Sequence, residues 1–104
     1  MPAPVRTAEQ RAAALESAMR TRTFRAELRV ALKAGVQDPI VILQAGADHP
    51  NYSNLRVQWL LESLPGIGPI RCEQLMHELG IARTRRIGGL NERHRALLVG
   101  ALQK

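Results

Sequence analysis

The run Leu64-Pro65-Gly66-Ile67-Gly68 limits what this chain can fold into, because of what flanks it. Before it, Val57, Leu60, Leu61 and Leu64 fall at i, i+3, i+4 and i+7, one apolar stripe of a helix. After it, Cys72, Leu75, Met76 and Leu79 repeat that spacing, and Gly80 supplies a stop. Two short helices with matched stripes and a five-residue joint, Pro65 to Pro69, predict an antiparallel helical hairpin. Aromatics make up only 3% of the chain against 45% apolar residues, so its core is built from Leu, Ile, Val and Ala. That supply suits helices better than a sandwich or barrel, and the expected class is all-α.

The remaining chain reads as one domain with an appended arm, as 104 residues suggest. Residues 1–6, with two prolines, are expected to be disordered. Thr7 and Gln10 fit a capping box that opens a basic helix over 7–34, about 40 Å long, with Gly35 as its stop. Its second half, where Phe24, Leu28, Ala31 and Leu32 share a face, should dock, and its first half should project. The compact domain is expected over 36–104. There Pro39 opens a short helix filled by Ile40, Val41 and Leu43 and ended by Gly46. Residues 47–54 read as a loop with room for one helical turn. A basic loop at 83–89 then leads to a last helix from about Asn91 to Leu102, with Leu97, Leu98 and Ala101 inward.

Charge narrows the partner. Fifteen basic residues against nine acidic ones give +6, and only Lys33 and Lys104 among the fifteen are not Arg. Arg presents a planar fork that matches phosphate oxygens. Genomic codon preference also raises Arg content, but it does not explain the net charge, which calls for a polyanion. Cys72 stands alone, so no internal disulfide or four-Cys zinc site exists. His49, His77 and His94 show no metal spacing, and no metal or cofactor is expected. No stretch approaches eighteen apolar residues and the N-terminus lacks a signal core, so the chain is expected in the cytoplasm, away from membranes.

The Leu-Pro-Gly-Ile-Gly run has the form of a helix-hairpin-helix signature, and each residue has a physical reason. Pro65 cannot continue the preceding helix and fixes where the turn starts. Gly66 and Gly68 tolerate positive φ and let a partner approach the backbone. Amides at the start of the next helix then meet a phosphate without reading any base. Arg71, in that helix's first turn, adds a charged contact. The alternative is a plain inter-helix turn. Two departures stand out: Pro69 removes one donor amide, and Cys72 occupies a place where a small Ala usually packs the helices.

From Arg11-Ala12-Ala13-Ala14-Leu15-Glu16, through the hairpin, to Arg85-Arg86-Ile87-Gly88-Gly89-Leu90, the chain resembles the actinobacterial integration host factor family. The resemblance implies a long N-terminal helix followed by a helix-two-turn-helix domain, similar to ribosomal protein S13. It also implies a nucleoid-associated protein that binds duplex DNA with little sequence preference. Such proteins bend or compact DNA and assist site-specific recombination, so a recombinase becomes a partner through shared DNA. The family's hairpin contacts carry onto Gly66, Ile67 and Gly68, and its basic cluster onto Arg85 and Arg86. A third basic residue often follows that pair; Gly88 stands there instead, with Arg83, Arg93 and Arg95 adding charge nearby. Pro65, at the tip, is a candidate wedge between base steps. The long helix reads equally as solvent-exposed scaffold or as a further DNA contact.

Two other function classes compete with this one. Pro2, which Met1 removal would leave N-terminal, suggests a glycosylase nucleophile, but Ala3 follows it where an acid is needed, and no catalytic activity is expected. An RNA-binding, ribosome-associated module of the same fold is the rival, since backbone-amide and Arg contacts do not distinguish DNA from RNA. The long helix shows no sustained heptad, and the protein is expected to be a monomer.

Overall fold

A computed structural model describes residues 7–103, so the expectation for residues 1–6 falls outside it. The described chain holds six α-helices and no sheet. Helix α1 (Ala8–Lys33) opens on a reciprocal cap: Thr7 Oγ1 accepts the Gln10 amide at 3.1 Å, and Gln10 Oε1 accepts the Thr7 amide at 2.9 Å. It ends at Ala34, where Gly35 turns the chain with φ 74°. From Ala8 to Thr23 nothing is buried and only Ala14 is half-buried, while Leu28 and Leu32 enter the core. The two halves of α1 divide as the apolar pattern predicts.

Helix α2 (Pro39–Ala45) is capped by Asp38, whose carboxylate accepts the Ile40 amide at 2.9 Å. Its inward pair is Ile42 and Leu43, and Val41 faces solvent at 51% exposure. Val41 thus fills the helix without entering the core. Four consecutive aliphatic residues define no face by themselves; the packing of α2 on the last helix does. The loop at 47–54 contains the single turn α3 (Pro50–Ser53), over which His49 and Tyr52 stack at 4.1 Å.

Helices α4 (Val57–Glu62) and α5 (Pro69–Leu79) pack on each other through the two stripes. Val57, Leu60, Leu61, Leu64, Cys72, Leu75 and Met76 are all buried, and Leu79 lies at the edge. Cys72 Sγ faces the Gln58 carbonyl across that contact at 3.7 Å, so the thiol fills the small-residue place. Burial, and then the nearby Glu62 and Glu73 carboxylates, push its pKa above the ordinary thiol value.

A 3-10 turn (Ile87–Gly89) buries Ile87, and α6 (Glu92–Leu102) follows, capped by Asn91 on the His94 amide at 2.7 Å. Leu98 is fully buried, whereas Leu97, expected inward, is 40% exposed. The inward side of α6 carries Arg95, Leu98, Val99, Leu102 and, as expected, Ala101, and Leu97 lies about 100° around the helix from Leu98.

Candidate nucleic-acid interface

The chain leaves α4 at Ser63 and turns through Leu64 and Gly66 into α5. Gly66 holds φ 81°, which only glycine adopts without strain. Gly68 does not share that conformation; it is the extended N-cap of α5 with φ −89°. A Cβ at Gly68 would meet open space, so nothing inside the fold demands glycine there. A partner approaching the backbone would. Pro65, Gly66, Gly68, Pro69, Ile70 and Arg71 are all exposed, and Ile67 is half-buried.

Helix α5 starts without any side-chain cap. Among the described residues the amides of Gly66, Gly68, Ile70 and Arg71 are not hydrogen-bonded, and the Ile67 amide reaches Leu64 O only at 3.4 Å. Cys72 is the first amide to bond back, to Gly68 O at 2.9 Å. Arg71 places a cation at the end of the helix where the dipole is already positive, which costs about 0.3–1 kcal/mol without an anion. Free donors and a misplaced cation at one helix start make a ready anion cradle.

The basic loop is a second, separate surface. The Val57 amide donates to Arg85 O at 3.0 Å and the Ile87 amide to Leu55 O at 2.8 Å, an antiparallel bridge between Arg56 and Arg86. Sequence pattern gave no hint of this clasp. Arg85 Nη1 donates to Gly89 O at 3.3 Å, and Arg86 Nη1 to Asn54 O at 3.0 Å. Each guanidinium has five N–H donors, so one bond steadies it and leaves the rest outward. Both arginines line an open groove with Ser53, Asn54, Gly88 and Gly89, and no carboxylate lines it.

Glycine at 88 has an internal cause. A Cβ there would stand 2.8 Å from Ser53 Cβ and 3.1 Å from Ser53 O, so no basic side chain fits at that place. Arg93, exposed in the first turn of α6, is again a cation at a positive helix start. Arg83 differs: its Nη2 pairs with Glu73 on α5 at 3.0 Å, with both side chains well exposed. Among the described residues the other ion pair joins Arg20 to Glu16, so the remaining described arginines keep their charge uncompensated by carboxylates. Arg95 is not a surface charge. Its Nη2 reaches Ile87 O and Leu90 O at 3.4 Å, and its buried Nε has no partner. It braces the 3-10 turn from beneath.

A further crevice is lined by Glu62, Pro69, Glu73 and Arg83 among others, with Arg83 paired to Glu73 across it. The structure therefore brings Pro65–Gly68 and Arg71 together, and Arg85 and Arg86 together, without merging the groups.

The family model for the S13-like H2TH domain matches residues 32–101. The chain is 41% identical to the integration host factor of Streptomyces coelicolor, over 94% of this chain and 92% of that one. The integration host factor of Mycobacterium tuberculosis is likewise 41% identical, over 95% and 94% of the two chains. The chain belongs to the integration host factor family. Within that family, the solved structure of sIHF bound to an 8bp palindromic DNA superposes with a TM-score of 0.79 at 34% identity. The match covers 84% of this chain and 98% of that one. Among the described residues no group of His, Cys, Asp and Glu has metal-site geometry, and no helix is long and apolar enough to cross a membrane.

Proposed function

We propose that this integration host factor homologue binds double-stranded DNA through its phosphates, at two surfaces and with little sequence preference. The observation that carries the reading is the uncapped start of α5, where free amides, an exposed Gly68 backbone and Arg71 converge. The amides of Gly66, Ile67 and Gly68 with Arg71 hold one strand, and Pro65 leans on the adjoining sugar or base step. Arg85, Arg86 and Arg93 hold a second stretch of backbone, and Arg83 joins them by exchanging Glu73 for phosphate, since an exposed ion pair is worth only about 0–1 kcal/mol. The DNA-bound structural relative supports DNA as the polyanion.

A monomer with two separated surfaces bends one duplex or bridges two. That activity fits a nucleoid protein of the cytoplasm that compacts DNA and assists site-specific recombination through shared DNA. No catalytic role is assigned to any residue. The domain, 36–104, carries both surfaces, and the arm, 7–34, packs on it through Leu28 and Leu32.

Fluorescence anisotropy with a roughly 30-bp duplex at about 50 and 200 mM salt, beside duplex RNA of the same sequence, tests the reading. Neutralising about six phosphates makes affinity fall on the order of a thousandfold across that range. Tighter binding to the RNA would favour the ribosome-type alternative, and no binding to duplex DNA at low salt would reject the proposal.

A further inference from the structure

Arg29, near the end of α1, is half-buried and faces no carboxylate. Its Nε donates to Ser63 Oγ at 3.1 Å, and that hydroxyl donates to the Trp59 carbonyl at 2.7 Å. Its guanidinium carbon lies over the Trp59 ring, 5.0 Å from the centroid. Ser63 is fully buried and ends α4; its own amide bonds to Trp59 O and Leu60 O at 3.1 and 3.2 Å. The next three residues are Leu64, Pro65 and Gly66. One guanidinium thus grips the last turn of α4 at two points, immediately before the chain enters the hairpin. Lys offers neither the Nε–H beside a planar stacking face nor its fixed geometry.

We infer that Arg29 is a positioning residue for the phosphate-binding hairpin, acting from α1 through Ser63 and Trp59, and that it does not itself neutralise a phosphate. The inference rests on the DNA-binding reading above. Cradle amides serve only when aimed, and a small rotation of the α4 terminus turns Gly66 and Gly68 away from the backbone they hold. The basic loop is clasped to the opposite, N-terminal end of α4 by the Arg56–Arg86 bridge and is braced by Arg95 from α6, so it stays in place when Arg29 releases the C-terminal end.

The test is a binding cycle on the full chain with a roughly 30-bp duplex, at a temperature where circular dichroism shows every variant folded. Arg29→Met should weaken binding about fivefold without changing the salt slope. In a Gly68→Ala background, where the hairpin is already impaired, the same change should cost less than about twofold; in an Arg86→Gln background it should again cost about fivefold. A slope shallower by about 0.9 would mean that Arg29 touches a phosphate directly and would overturn the inference. Equal losses in both backgrounds, or no loss at all, would overturn it too. If Arg29→Met does not fold, Ser63→Ala takes its place in the cycle with the same expectations. Wild-type protein that binds no duplex would instead defeat the DNA reading itself.

Discussion

The hairpin and the basic loop offer phosphate two different kinds of hold. The hairpin offers main-chain amides and a helix start, with Arg71 as its one full charge; the loop offers guanidiniums mounted on a pinned backbone. Amides release few counterions and depend on geometry, whereas guanidiniums release many and tolerate displacement. Salt and shape should therefore separate the two surfaces within one molecule.

The sharpest way to force them apart is to remove charge from the loop. Arg85→Gln with Arg86→Gln should lower affinity about a hundredfold at low salt, at about 1.4 kcal/mol per contact, and flatten the salt dependence by about 1.8. Anisotropy titrations at four salt concentrations would read both. An unchanged slope would show that the loop does not meet phosphate. Adding charge at the missing third place should fail for a packing reason. Gly88→Arg drives a Cβ into Ser53 and should lower unfolding free energy by about 1–3 kcal/mol in urea titrations.

A subtler change isolates the hairpin. Gly68→Ala meets nothing inside the protein and needs no unusual φ, so stability should fall by at most about 1 kcal/mol. Affinity should nonetheless drop about tenfold with the salt slope intact, because a methyl would then stand where the proposed contact brings the DNA backbone close. Full affinity in that variant would assign all binding to the loop. The smallest effect concerns Cys72, which sits beneath the hairpin. Its folded pKa is raised, so it adds stability at neutral pH, and this is lost only as pH climbs beyond the free-thiol range of about 8.5. Iodoacetamide should label it slowly at pH 7, and thermal midpoints should stay flat from about pH 6 to 8. Rapid labelling of folded protein would contradict its placement.

The stripes of α4 and α5, the cap at Thr7, the helix starts at Pro39 and near Asn91, and the stop at Gly35 were all legible in the sequence, because each is a local pattern. The side chains of Val41 and Leu97 were not, since neighbours of equal hydrophobicity are ranked only by what packs on them. Arg29 and Arg95 escaped for another reason: charged residues are counted as surface. Arg95 did leave a trace, heading the i, i+3, i+4, i+7 series with Leu98, Val99 and Leu102. The pairing of Arg56 with Arg86 joins residues thirty apart with no periodicity between them, and nothing local announces it.

The carboxylate-lined crevice beside Pro69 and Arg83 has an electrostatic consequence. Glu62 and Glu73 would repel a polyanion, so on the reading proposed above a duplex would be kept off this part of the surface until Arg83 turned from Glu73 toward it. Arg83 would then act as a latch that opens only when phosphate arrives.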